Sequence, residues 1–249
     1  MKVRMKYSKQ GLMKFIGHLD MMRSFQKLLR RTGFDVVFSE GYSPHMVMSY
    51  AFPLGVGMTS DSEYVDVDLG SAPSSVEMVR KLNESAPEGV HFLDARQIQA
   101  GKMNKGMALV ARADYTLAFR PGHEWPDAWK EEFQSWVRQP SIIAEKSGKK
   151  GTKEIDIAPL IYKAETQPEI RRIKGIADAD DEGQLREGAL RLALSAKAGA
   201  TVRPELVMDT FSKACGYQED PFRFMINRDE VYADQGQFIP LIELGTRIG

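Results

Sequence analysis

The first residues alternate: Val3, Met5 and Tyr7 interleave with Lys2, Arg4 and Lys6. A period of two puts the apolar set on one face and the cations on the other, which predicts a strand with one wet face. From Leu19 to Arg31 the period becomes helical. Met22, Phe25 and Leu29 make one stripe, Met21 and Leu28 flank it, and Gly33 stands where a left-handed cap is expected. Phe34 to Ser39 predicts a second strand. Glu63 to Leu69 alternates again, with Val65, Val67 and Leu69 against Tyr64, Asp66 and Asp68. Pro73 and Ser74 open a helix that ends near Ala86, before Pro87 and Gly89. Val90 to Leu93 predicts a further strand. The order β-α-β-β-α-β is that of a ferredoxin-like unit, with two helices over one face of an antiparallel sheet.

After a connector at 97–106 the order repeats. Ala108 to Phe119 predicts a strand. Glu124 to Arg138 predicts a helix, with Trp125, Trp129, Phe133 and Trp136 as a core stripe. Ser141 to Glu145 and Glu154 to Ile157 predict a hairpin. Leu190 to Ala196 predicts a strand, Pro204 to Ala214 a helix with proline in its first turn, and Phe222 to Ile226 a last strand. The expectation is an α+β chain of two ferredoxin-like (βαββαβ) halves in tandem, residues 1–97 and 107–249, each with helices on one face of its sheet. Within the first, the Met/Gly-rich segment 40–62 reads as an arm closing the core, with Met46 to Ala51 as a strand inside it, or as a flap over a ligand or partner. Residues 160–188 are polar, with acids at Asp178, Asp180, Asp181 and Glu182, and read as a loop or an added hairpin.

Composition narrows the function classes. The 249 residues carry 34 Lys+Arg and 34 Asp+Glu, so binding to nucleic acid or membrane has to rest on local patches. No apolar run approaches the ~20 residues that span a bilayer, and the charged opening lacks the apolar core of a signal peptide. A cytoplasmic location without membrane attachment is expected. Cys215 is the single cysteine. One thiol makes no internal disulfide and holds no iron–sulfur cluster, and Cys215 is expected as a packed thiol.

Charge is uneven along the chain. Residues 1–31 hold nine basic side chains and one acid, Asp20, whereas residues 32–69 hold six acids and no Lys or Arg. Arg23, Lys27, Arg30 and Arg31 fall at i, i+4, i+7 and i+8, so they share a helix face. Such a face suits phosphate contacts, or it is a solvated face that pairs with the acidic strands. A second constellation joins His18 and Asp20 to Tyr42, Ser43 and His45. In the expected topology, the loops after strands one and two emerge at the same end. His18 and His45 then act as a general acid–base pair, with Asp20 alongside, or serve only as cap and loop residues. Their spacing matches no recognised metal motif, and no metal site is expected. Lys149 and Lys150 lie in a lysine- and glycine-rich turn, either a basic finger for nucleic-acid backbone or an ordinary hairpin cap. His91 reads as structural, and His123 as a capping or surface residue at a helix start.

Three phrases carry a family resemblance: Phe15-Ile16-Gly17-His18-Leu19-Asp20, Ser39-Glu40-Gly41-Tyr42-Ser43-Pro44-His45, and Pro53-Leu54-Gly55-Val56-Gly57 leading to Glu63-Tyr64. With Val202 to Val207 they make the chain resemble the radical SAM-linked proteins, a bacterial domain family of unknown function. The common form has Asn-Pro-His-Pro and then a basic residue, where this chain has Ser43-Pro44-His45-Met46-Val47. The resemblance implies a radical SAM protein of the cobalamin type as partner, encoded beside this domain or fused to it. Any iron–sulfur cluster or cobalamin would then belong to that partner, and no cofactor to this chain. Three functions follow as expectations: an accessory module that presents an RNA or RNA-bound substrate to the partner, a His18/His45 enzyme acting on RNA or a small phosphodiester, or an assembly partner without nucleic acid.

Overall fold

The computed structural model describes residues 1–148, 151–170, 186–218 and 220–249. In chain order its elements are β1 (Lys2–Lys9), α1 (His18–Thr32), β2 (Met48–Tyr50), β3 (Thr59–Asp68), α2 (Ser75–Ser85), β4 (Val90–Ile98), α3 (Gly106–Leu109) and β5 (Val110–Phe119). There follow α4 (Trp129–Trp136), β6 (Ile143–Gly148), β7 (Gly151–Asp156), β8 (Ile161–Ile170), β9 (Arg186–Ser195), α5 (Pro204–Cys215), β10 (Phe224–Asp234) and β11 (Phe238–Pro240). A 3-10 turn, Gly11–Phe15, precedes α1. The chain is a mixed α/β protein with mostly antiparallel strands and few helices. It divides into two compact units, Met1–Ala111 with Arg228–Gly249, and Arg112–Asn227. The division falls inside β5 and not in the 97–106 connector, and the last residues join the first unit through bonds such as Gln97 with Thr246 and Ser75 with Ile248.

In the first unit β1 lies between β4 and β3 and is antiparallel to both. The short β2 pairs with the C-terminal half of β3. Alternation along β1 sorts its side chains. Val3, Met5 and Tyr7 join Val65 and Val67 under the helices, where Met21, Phe25, Leu28 and Leu29 of α1 meet Met78 and Leu82 of α2. Both helices therefore cover one sheet face. Gly33 ends α1 at φ 70°, a left-handed geometry that glycine adopts without a Cβ clash. The Ser74 hydroxyl accepts the Glu77 N–H and starts α2.

Residues 34–39, expected as the second strand, form only isolated bridges, Val36 with Leu69 and Phe38 with Met46. The strand at this place is β2, which begins at Met48 inside the 40–62 segment. Ser39 and His45 bond each other across the intervening turn, while Val37 donates to Asp68 and Asp35 accepts from Gly70, contacts too scattered to make a ladder.

In the second unit the order is β10-β5-β9-β8, with residues 224–227 of β10 inside the unit. The predicted hairpin is present as β6 paired with β7. Much of the unplaced 160–188 stretch belongs to β8 and β9, which pair antiparallel from Ile161–Leu194 to Ile170–Arg186. The acids Asp178 to Glu182 lie outside the described residues. The aromatic helix is shorter than expected. It begins at Trp129 because the chain turns at Pro126, whose carbonyl accepts the Trp129 N–H, and Trp125 reaches the core from outside the helix. Trp125, Trp129, Phe133 and Trp136 are all buried. Cys215 is exposed, not packed: it is the last residue of α5, past the buried stripe that ends at Ser212. Among the described residues no helix is long and apolar enough to cross a membrane.

Candidate functional site

The outward face of β1 carries its cations into the sheet's own acids. Arg4 and Asp66 are buried and form a two-pronged pair, Nε–Oδ1 at 2.7 Å and Nη2–Oδ2 at 3.0 Å. The remaining Arg4 donors reach the carbonyls of Leu241 and Asn104, and the Gly106 N–H donates to Asp66 at 2.7 Å. Lys2 pairs with Asp68, and Lys6 with Glu230 at 2.6 Å. Glu230 also accepts from the Tyr64 and Ser62 hydroxyls. Three cations of the N-terminal basic cluster are thus paired, Lys2 and Arg4 with the acidic block that follows it and Lys6 with Glu230, and those residues are structural.

Under the helices a second polar group sits at the far end of β1. Arg228 and Glu63 are buried and paired at 2.5 Å. The Lys9 ammonium, also buried, donates to the Ile16 carbonyl at 2.7 Å, and burial pushes its pKa down. Rings lead from here toward the surface. Tyr7 meets Phe25 at 4.8 Å, Phe25 meets Tyr50 at 5.8 Å, and Tyr50 meets the His18 ring edge-on at 5.0 Å. The Tyr50 hydroxyl is buried without a hydrogen-bond partner. Burial pushes the Tyr7 and Tyr50 hydroxyls well above the usual phenol range, with Glu63 adding to the effect at Tyr7.

The predicted site residues distribute around this end of the unit. His18 opens α1 and is exposed, its ring against Tyr50. His45 does not follow a strand as expected; it precedes β2, and its Nδ1 lies 2.8 Å from the Ser39 hydroxyl. The contacts of the two imidazoles are therefore separate. Tyr42 and Ser43 are exposed on the turn between them. Asp20 is exposed and bonds Arg23 at 3.1 Å. Arg31 donates to the Ser85 carbonyl at the end of α2, whereas Lys27 and Arg30 are exposed on the outward side of α1. Lys149 and Lys150 lie outside the described residues. No group of three or more His, Cys, Asp and Glu side chains is arranged to hold a metal among the described residues.

The outward stripe of α1 has a gradient along it. Leu19, Arg23, Lys27 and Arg30 follow at helical spacing, all exposed. Before them on the 3-10 turn, Leu12 and Phe15 are 82% and 59% exposed, and Leu19 is 63% exposed. Residues three apart eclipse in a 3-10 turn, so Leu12 and Phe15 point the same way. Val56 is also exposed, and its neighbour Gly57 donates to the Lys14 carbonyl at 2.8 Å. Apolar side chains in such proximity are more than scattered surface residues. Sequence reading found the basic half of the stripe but not the apolar half, whose signal was Leu12, Phe15 and Leu19 lying outside the core spacing.

A second feature escaped the sequence altogether. In the Arg112–Asn227 unit His123 does not open a helix; its Nδ1 meets Asp220 Oδ2 at 2.6 Å across ninety-seven positions. Asp220 Oδ1 accepts the Phe222 N–H at 2.9 Å, and these bonds, with His123 foremost, hold the carboxyl below the usual range. Arg223 donates to the His123 and Gln218 carbonyls and lies over the Trp125 ring at 5.1 Å.

Among solved structures, a chain of a Cbf5–Nop10–Gar1 complex matches with a TM-score of 0.47 at 10% identity, over 94% of this chain and 50% of that one. This chain therefore spans half the length of that one. An unknown protein from Galdieria sulphuraria matches with a TM-score of 0.23 at 11% identity, over 91% and 96% of the two chains. Neither likeness is close enough to carry an argument. No curated protein matches the sequence. Residues 2–204 match the family described as "uncharacterized protein conserved in bacteria (DUF2344)", and with over half its length inside that match the chain belongs to this bacterial family.

Proposed function

We propose that the protein is an accessory binding module that holds an RNA or RNA-bound substrate and presents it to a radical SAM enzyme. The observation that carries the reading is the outward stripe of α1, where exposed Arg23, Lys27 and Arg30 continue from exposed Leu12, Phe15 and Leu19. The cations suit a phosphate backbone, and the apolar end suits a protein partner. That partner is a radical SAM protein on the strength of the phrases around His18 and His45, and any iron–sulfur cluster or cobalamin resides there. Each unit is read as ferredoxin-like. The strand orders support this: β4-β1-β3 with β2 beside β3, and β10-β5-β9-β8. The His18/His45 acid–base reading draws less support, because one ring rests on Tyr50 and the other is tied to Ser39. The test is a gel-shift titration of the purified chain with bulk bacterial small RNA. Lys27→Gln/Arg30→Gln should weaken binding by about tenfold or more, and unchanged binding would discard the α1 surface.

A further inference from the structure

Each unit's sheet has an outer strand, and the two edges are finished differently. In the first unit the backbone groups of β4 that turn away from β1 are taken up. The Asn83 carboxamide bonds both the N–H and the carbonyl of Phe92, the Ser75 hydroxyl donates to the Ala95 carbonyl, and Gln97 exchanges two bonds with Thr246. An edge closed in this way offers nothing to another strand. In the Arg112–Asn227 unit the outer strand is β8, which pairs with β9 on one side; among the described residues no strand pairs with it on the other. An open edge accepts an extended backbone, and the side chains along it decide which one. Successive side chains of a strand alternate between its faces. Thr166 receives the Gln134 carboxamide of α4, so Ala164 shares the face under α4, and Lys163 and Glu165 share the opposite face. These two carry opposite charges, lie 2.8 Å apart and are exposed, and Ala164 stands between them.

A cation and an anion placed symmetrically about a small residue make a strand complementary to itself. We propose that β8 pairs antiparallel with β8 of a second copy of this chain, about a two-fold axis at Ala164. Lys163 of each copy then faces Glu165 of the other, and cross-strand pairs of opposite charge stabilise a ladder. The same charges fix the register. Moving the axis by one residue sets Lys163 opposite its own twin, or Glu165 opposite its twin, and like charges directly opposite each other destabilise. The small Ala164 side chain at the axis leaves room for its twin beneath α4. The proposal is independent of the α1 surface and stands or falls apart from RNA binding.

The test is analytical ultracentrifugation of the full chain from micromolar to sub-millimolar concentration, where a concentration-dependent dimer is expected. Lys163→Glu and Glu165→Lys each replace both attractive contacts of the dimer by repulsive ones, and each should weaken self-association about tenfold or more. Mixed in equal amounts, the two variants present all-acidic and all-basic edges that complement each other, so the mixture should dimerise as well as the unaltered chain. That recovery separates loss of pairing from loss of fold. A monomer at every concentration, single variants that dimerise like the unaltered chain, or a mixture that associates no better than its components would each overturn the proposal.

Discussion

At the scale of single residues, the chain stakes much on buried charge. Among the described residues, Arg4 and Asp66 are compensated by each other and by backbone groups. Removing one member strands the other, a mechanism that costs about 3–5 kcal/mol. Arg4→Met should lower unfolding stability by that amount in urea titration; a loss below ~1 kcal/mol would mean that water reaches Asp66. Buried tyrosines give a pH signature. Tyr7, Tyr50 and Tyr64 have folded pKa values raised by burial, and Glu230 adds to the rise at Tyr64. A raised folded pKa contributes stability that is fully present below the unfolded value near 10 and is lost as pH rises beyond it. Each such tyrosine steepens the alkaline loss by about 1.4 kcal/mol per pH unit. Tyr50→Phe should remove roughly that much of the slope between pH 10 and 12, and cost little at pH 7 because the hydroxyl it deletes has no partner. An unchanged slope would show that Tyr50 already ionises in the folded state. None of this was legible in the sequence beyond the sign of the charges. Alternation told which residues share a face of β1, but the acid that each cation meets depends on the register of β1 against β3.

At the scale of elements, local chemistry settles boundaries that periodicity leaves open. α1 was readable in full, since its stripe, its acidic first turn and its glycine cap agree. α2 was readable from Ser74, and Ser74→Ala should cost about 1 kcal/mol of stability in thermal or urea unfolding; no loss would mean that water caps the Glu77 N–H equally well. The second strand was misplaced because Phe34 to Ser39 has strand-forming residues while its backbone bonds are scattered, Val37 to Asp68 and Val47, Asp35 to Gly70 and Ser39 to His45, and form only isolated bridges. α4 was overextended because aromatic spacing continued through Trp125, yet Pro126 starts the helix three residues later. β8 pairs with β9 as the added-hairpin reading of 160–188 had it, but its polar sequence gave no strand bounds. Misplacing the second strand also undid the expected site. His45 belongs to the turn before β2, so its ring is held locally while His18 is held by Tyr50 from the next strand.

At the scale of the whole molecule, zero net charge conceals a division of labour. The cations of β1 are absorbed by Asp66, Asp68 and Glu230, and those of α1 remain at the surface. A sum over the chain could not separate the two groups; burial does. Exposed Leu12, Phe15 and Leu19 precede the surface cations and make the second half of the proposed presenting surface, which residue types alone did not reveal. The most direct measurement of the central claim is the salt dependence of small-RNA binding by the chain and by Lys27→Gln/Arg30→Gln. If these side chains hold phosphates, log affinity falls linearly with log salt, and the double variant flattens that line by about 1–2 units of slope. A slope identical in both proteins, or no binding at low salt, would contradict an RNA-presenting role for this surface.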